Sequence, residues 1–424
     1  PDIFPEALCT RLSELHMEAP THSFAHTRDT IMQAFGGAEL DDLFVSLDEC
    51  PLASGAIAQV HRGRAMIVGA DGSPREREIV VKVRHPNTRQ SIERDLRLLT
   101  VMARLIDYTG LMSSVQFESA VAEFEGRMRA QVDLADEATN LGVFRANFDD
   151  EKWGNVCFPQ PVTPYHEAVI IETYEPGQTI ADFLDGGRYG SETFRKKCAS
   201  LGIKLFMKML ILDNFLHCDL HPGNLFVRSR CRCPHNAPAG KQSSPPRPAT
   251  RAAPRGEGTV PGQCNFSDGC EPELVIFDTG LVTRLEPTEV QNLQDLFVCM
   301  VSAEYEEGAK LLVERNPANA GVLPHIKERF KAEFAVLFSD ALSKPLSEIP
   351  LGSVLFELMN ICQRYHIQLE NNFATLVVGL LVVEGVGRRL TCDFNFIEEC
   401  VHCVVDMPMT KSNKVLHASK RARS

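Results

Sequence analysis

A long apolar run is missing from this sequence. The strongest candidate, Leu376 to Val383, is closed by Glu384 and Arg388-Arg389. It falls short of the roughly 20 residues that a membrane-spanning helix needs, and reads as a buried helix. An excess of positive charge is missing too. The net charge of −12 argues against a general nucleic-acid binder, and the basic stretch Lys411 to Ser424 reads as a solvated end. Among the cysteines that flank and lie within the proline-rich stretch, paired C-x-x-C spacing is also absent. Cys231, Cys233, Cys264 and Cys270 lie in proline-rich sequence without ligand spacing, which argues against a metal knot. At 424 residues the chain can build its own core without disulfide staples, so its 14 cysteines are expected to be mostly reduced and buried, in a reducing compartment. No signal peptide is visible. The chain starts at Pro1, so the true N-terminus, with any targeting segment, is expected upstream.

What is present has a clear order. Residues 1–50 read as mixed helix and turns. Pro51 to Arg64 reads as strand, tight loop and strand, and a turn at Asp71-Gly72-Ser73-Pro74 leads into the β-branched strand Glu78 to Val83. Two helical stretches follow. In the second, Phe117, Val121, Phe124, Met128, Val132 and Ala135 form a stripe at spacings of three and four, read as core. Asp133 and Glu137 are then expected on the opposite edge, on one face of that same helix. A strand pair comes next, around Val156-Cys157-Phe158 and Ala168 to Glu172, and Thr173 to Gly177 reads as a crossing between lobes. The remainder is mainly helical, with the stripe Cys198, Leu201, Leu205, Met209 and Leu212 running into a histidine-rich loop. From Arg228 to Pro272 proline, glycine, serine, alanine and arginine dominate, and Phe266 is the only aromatic residue. This segment is expected to be a disordered insert.

The chemistry concentrates in three places. His217-Cys218-Asp219-Leu220-His221-Pro222-Gly223-Asn224 has the form H-x-D-x-x-x-x-N. After the insert, Leu274 to Phe277 is a hydrophobic strand ending in Asp278-Thr279-Gly280, a D-x-G. Lys82 closes a V-V-K strand upstream. Each motif alone is weak; in this order they match the layout of a phosphoryl-transfer site. Phosphates need cations between them, so Asn224 and Asp278 are the expected Mg²⁺ ligands. Asp219 would orient or deprotonate the acceptor, and Lys82 would hold the α- and β-phosphates of ATP. Glu137 is the candidate partner of Lys82 although 55 residues separate the two. His221 is explained as well by helix capping or core packing as by catalysis.

Two further absences shape the reading. Where kinases carry G-x-G-x-x-G, the segment Ala53-Ser54-Gly55-Ala56-Ile57-Ala58 holds one glycine. No A-P-E platform for a peptide substrate follows Asp278-Thr279-Gly280. These departures, with Val81 to Pro86, Asp133 to Asn140, His217 to Asn224 and the Asp278 motif, resemble the UbiB, or aarF-domain-containing, atypical kinase family. The resemblance runs from Pro1 to about Asn395, interrupted by the insert.

That resemblance implies an α+β, atypical protein-kinase-like bilobal fold. An antiparallel N-lobe sheet with extra helices would span 1–172. A mainly helical C-lobe would span 173–400, with 228–272 as the insert, and 401–424 would form a basic tail. It implies ATP and Mg²⁺ as cofactors and a nucleotide pocket lined by Ala53, Ser54, Gly55, Ala56, Ile57, Val60, Lys82 and Glu172. A small-molecule or lipid acceptor, a mitochondrial, membrane-associated setting and partners in coenzyme Q biosynthesis or linked lipid metabolism are implied as well. Asp133 and Glu137 carry over from the family pattern. The family's E-x-D, however, is Gln131-Val132-Asp133 here, which exchanges one carboxylate for an amide. The family's K-x-G-Q element would fall upstream of Pro1. Two rival functions stay open: a nucleotide-gated pseudokinase scaffold that binds lipids or biosynthetic partners, and a Ser/Thr protein kinase.

Overall fold

The computed structural model describes residues 20–69, 71–109, 117–187, 189–230, 266–343, 351–369, 373–391, 394–395 and 398–400. The chain divides into two compact units. The first is Pro1–Trp153, Cys157–Pro176 and Ile276–Val282; the second is Gly154–Val156, Gly177–Val275 and Thr283–Ser424.

In the first unit, helices α1 (Phe24–Ala34) and α2 (Leu40–Leu43) precede strands β1 (Ser46–Leu47), β2 (Ala53–Ser54), β3 (Ala58–Val68) and β4 (Pro74–Arg84). Asp71 makes the β3–β4 turn by accepting the Ser73 N–H at 3.1 Å, and Gly72 supplies the left-handed residue with φ 75°. Helices α3 (Thr88–Thr109), α4 (Phe117–Val132) and α5 (Leu134–Asn147) follow. Then come β5 (Val156–Cys157) and β6 (Val169–Thr173). The antiparallel sheet runs β1-β3-β4-β6, with β2 paired to β3. Strand alternation decides which side chains meet the core. Ile79, Val81 and Val83 of β4 pack with Ala65, Ile67, Val169 and Ile171 and with Ile31 of α1. Val80, Lys82 and Arg84 therefore point to the other face.

Two expectations change here. The apolar stripe does not continue through residue 135, because the helix ends at Val132 and Asp133 caps the next one, its carboxylate accepting the Ala135 N–H at 3.0 Å. Asp133 and Glu137 thus belong to the start of α5, not to the flank of α4. The stripe is only partly core: Val132 is buried, but Phe124 is 45% exposed. The strands near 156 and 168 also enter different sheets. β6 pairs with β4, whereas β5 lies beside β10, described below.

The second unit contains β7 (Gln178–Thr179), β8 (Leu216–His217), β9 (Leu225–Arg230) and β10 (Glu271–Ile276), with a sheet in the order β5-β10-β9-β7. Helix α6 (Glu192–Met207) starts at Ser191, whose hydroxyl accepts the Phe194 N–H. It runs into a π-helical turn, Lys208–Leu212, closed by a Lys208–Asp213 pair at 2.6 Å. Of the predicted stripe, Cys198, Leu201, Leu205 and Met209 are buried, and Leu212 at the turn's end is 39% exposed. Helices α7 (Pro287–Val301), α8 (Tyr305–Glu314), α9 (Pro324–Ser343), α10 (Leu351–Arg364) and α11 (Phe373–Leu390) complete it. Ala309, Val313, Phe330, Phe334, Leu358 and Ile361 form one of its cores.

Leu376, Val377 and Val383 of α11 are buried, and no described helix is long and apolar enough to cross a membrane. The proline-rich segment is structured at both ends. Arg228 and Arg230 on β9 bind the Glu273 carboxylate of β10 at 2.8 and 3.0 Å. Phe266 is buried against Phe183, Tyr189 and Phe194. The residues between, 231–265, lie outside the described residues, as does the basic stretch 411–424.

Candidate active site

Three strands and one helix set up the first group of chemical residues. Lys82 sits on β4 opposite Val60 of β3 and Ile170 of β6, and Glu172 of β6 is opposite Val80. Lys82 and Glu172 therefore share a sheet face, one residue pair apart. The Lys82 ammonium donates to both oxygens of Glu137, at 3.0 and 2.8 Å, and lies 3.5 Å from Asp278 Oδ2. Glu137 is buried in the first turn of α5. The Asp278 side chain is 50% exposed. Side chains from positions 82, 137 and 278 thus form one charged knot within the first unit, and Glu172 shares the sheet face of Lys82.

Its electrostatics follow from burial. Burial alone would discharge Lys82, but the carboxylates of Asp278 and Glu137 outweigh it and hold the ammonium above its ordinary range. Burial pushes Glu137 up, opposed by Lys82 and reinforced by Asp278. Glu172 is pushed up to about 8, by burial first and then by Glu137. It is therefore mainly a neutral acid at pH 7, beside a cation already matched by two carboxylates.

The Asp278 segment is tied to the same helix. Thr279 is fully buried; its hydroxyl donates to the Glu137 carbonyl at 3.1 Å, and its own carbonyl accepts the Asn140 amide at 2.9 Å. Gly280 fits because a Cβ there would come within 3.3 Å of Asp278 Oδ1 and 3.9 Å of Glu137 Oε2. Sequence reasoning gave Thr279 and Asn140 no role. The available signal was the spacing of Glu137 and Asn140, three apart on one helix face.

The loop expected over the phosphates is a tight hairpin. Ala53 and Ser54 pair with Val60 and Gln59, Gly55 N–H donates to the Ala58 carbonyl, and His85 Nε2 lies 2.9 Å from the Gly55 carbonyl oxygen. Gly55 and Ala56 are exposed and Ile57 is partly so. Gly55 is not among the described residues with positive φ, and an added Cβ would meet only the Ala58 oxygen, at 3.7 Å. This turn tolerates alanine, which explains how the loop forms with a single glycine.

The second group, in the second unit, is a loop that holds itself. His217 is buried and its Nδ1 accepts the Asp219 N–H at 3.1 Å. The Asn224 amide donates to the Asp219 carbonyl at 3.0 Å, and Asn224 N–H to the His221 carbonyl at 2.9 Å. Thr179 on β7 donates to the Pro222 carbonyl. The Asp219 carboxylate is 44% exposed and lies 3.8 Å from His221 Nε2. His221 is neither a helix cap nor a core residue. Its ring is half exposed, and its Nδ1 accepts the Gly223 N–H.

Taken each by itself, the Asp278 side chain carries carboxylate oxygen and the Asn224 side chain an amide oxygen whose NH₂ is already engaged. These are the hard oxygen ligands that Mg²⁺ takes together with phosphate oxygens and water. Among the described residues, no group of three or more His, Cys, Asp and Glu side chains is arranged to hold a metal.

Comparison with known proteins decides the family. Residues 14–312 match the ABC1 atypical kinase-like domain, and residues 335–395 match the UbiB helical domain. The chain belongs to the ABC1/UbiB family. It is similar to the probable serine/threonine-protein kinase abkC of Dictyostelium discoideum, 31% identical over 431 residues, covering 95% of this chain and 60% of the relative. An ABC1 family mitochondrial protein of Schizosaccharomyces pombe is 30% identical over 416 residues, covering 92% of this chain and 59% of the relative. The chain thus spans about three fifths of the length of these two ABC1/UbiB relatives. Among solved structures, Rv3197 of Mycobacterium tuberculosis, determined with erythromycin, shares the fold at a TM-score of 0.53 and 18% identity. That match covers 92% of this chain and 84% of the other.

Proposed function

We propose that the chain binds Mg-ATP and acts as an atypical kinase or ATPase of the UbiB type. Lys82 holds the α- and β-phosphates and Glu137 keeps Lys82 charged and aimed. Asp278 and Asn224 would hold Mg²⁺, which supplies charge neutralisation to the phosphates when bound. Asp219 orients the acceptor hydroxyl or water, and the Ala53–Ala56 turn covers the phosphates with backbone N–H groups. The single observation carrying this reading is the knot itself: a partly buried lysine clamped by a buried helix glutamate beside the D-x-G aspartate, at 2.8 and 3.5 Å. A structural ion pair alone does not call for a third, half-exposed carboxylate beside the cation.

A small-molecule or lipid acceptor fits better than a peptide. The chain passes from Gly280 to helix α7, which begins at Pro287, without a platform segment. The setting we infer is mitochondrial, in coenzyme Q biosynthesis or linked lipid metabolism; the fission yeast relative's name and the UbiB motifs support it. ATP turnover by purified protein, wild type against Asp278→Asn, is the test. Mg-dependent phosphate release lost in the variant is the expected result. Equal release from both would leave a non-catalytic scaffold, and robust peptide phosphorylation lost in Asp219→Asn would restore the Ser/Thr kinase reading.

A further inference from the structure

The residue after Asp278 is the source of this inference. In the D-F-G pattern of protein kinases the central phenylalanine packs into the fold, and that packing sets whether the loop is active. Here the position holds Thr279, fully buried, which makes a directed bond instead of filling an apolar pocket. Its hydroxyl ends on the Glu137 carbonyl at 3.1 Å, and Asn140 returns a bond to the Thr279 carbonyl at 2.9 Å. Glu137 and Asn140 lie one turn apart on α5, so both bonds anchor to one helix face. The same helix carries the carboxylate that grips Lys82. Asp278, meanwhile, sits at φ 53°, in the left-handed region that non-glycine residues adopt rarely and that the surrounding structure must hold.

We propose that Thr279 and Asn140 are positioning residues: a polar latch that fixes Asp278 to the helix bearing Glu137 before any nucleotide arrives. Lys82, Glu137 and Asp278 then form a pre-set unit, and position 279 itself carries a hydrogen-bonded threonine in place of the aromatic plug. Pre-setting the carboxylate lowers the ordering cost of taking up Mg-nucleotide, so the latch acts on affinity for the metal complex rather than for the nucleotide alone. The metal part of this proposal rests on Asp278 being the Mg²⁺ ligand; the latch itself does not.

Two readouts separate these parts. The first is hydrogen exchange of residues 276–282 in nucleotide-free protein. The second is calorimetric affinity for ADP with and without Mg²⁺. Thr279→Val, close in volume but without a donor, should speed exchange in that segment about 10-fold, the equivalent of one lost hydrogen bond. It should weaken Mg-ADP binding by a similar factor and leave Mg-free ADP binding unchanged. Thr279→Ser, which keeps the hydroxyl, should restore both to near wild type. Asn140→Ala, on a partly exposed residue, should shift both the same way and keeps the test open if the valine variant fails to fold. Unchanged exchange in both donor-free variants, or no rescue by serine, would overturn the latch. Equal weakening with and without Mg²⁺ would overturn its tie to the metal. A wild type that shows no Mg-dependent ADP binding would sink the metal role and the functional reading together, while the exchange data still decide the latch.

Discussion

The two groups of chemical residues are built in opposite ways. In the knot, side chains from positions 82, 137 and 278 hold one another by charge, with Lys82 and Glu137 largely out of water, across a strand, a helix and a loop distant in sequence. In the loop from His217 to Asn224, histidine and asparagine side chains bond to backbone groups within seven residues, and Asp219 keeps its carboxylate half exposed. The knot couples chemistry to the stability of its unit. The loop leaves the Asp219 carboxylate, the proposed acceptor-orienting group, out of the fold's support, so that group should be removable without unfolding anything.

Asp219→Asn sharpens this contrast most. It should cut ATP turnover at least about 100-fold, the scale of removing one oriented catalytic group. The unfolding free energy should stay within about 0.5 kcal/mol of wild type, as for exposed surface changes. Turnover assays and urea titration on the same preparation check both. A large stability loss would mean the loop is braced by that carboxylate after all.

Lys82→Met should do both kinds of damage. Besides abolishing turnover, it strands Glu137 in the interior and should cost about 3 kcal/mol of stability, in the range for breaking one side of a buried pair. The double change Lys82→Met with Glu137→Leu should be less destabilised than the two single changes summed, by about 1 kcal/mol or more in a double-mutant cycle. Strict additivity would show that the pair is not coupled.

A third effect is a pH slope. Glu172 has its pKa raised from 4.5 to about 8 by burial, so the folded state keeps a proton that the unfolded chain gives up. Its contribution is present in full below pH 4.5 and is lost as pH rises toward 8. Glu172→Gln, which is neutral at every pH, should flatten the decline in stability between pH 5 and 8 measured by urea denaturation. An unchanged slope would show that Glu172 is ionised in the folded protein. The smallest effect is expected at the helix start: Asp133→Ala removes the cap of α5 and should cost about 1 kcal/mol.

The same contrast explains what the sequence disclosed. The H-x-D-x-x-x-x-N loop is legible because its structure is local, and a fixed spacing encodes it. Lys82 and Asp278 are legible because one lies in a β-branched strand and the other follows an aliphatic one, although the first strand runs on to Arg84 and does not close at Lys82. Glu137 was found as a candidate only through the motif order, since 55 residues separate it from Lys82. The helix break at Asp133 was missed because the apolar period continues through it, and only the capping bond to Ala135 marks the end. Thr279 and Asn140 were passed over for a similar reason: their bonds run to backbone carbonyls, and residue patterns do not announce which carbonyl a side chain will reach. Phe266 was read as part of the insert because composition averages over the few residues that return to the core.

The account depends on the first unit's knot taking up a nucleotide through a divalent ion. Thermal unfolding with ADP, with and without Mg²⁺, in wild type and Asp278→Asn measures this most directly. A rise in melting temperature that requires Mg²⁺ and vanishes in Asp278→Asn is the predicted result. No Mg-dependent rise in wild type, or an equal rise in the variant, would contradict it.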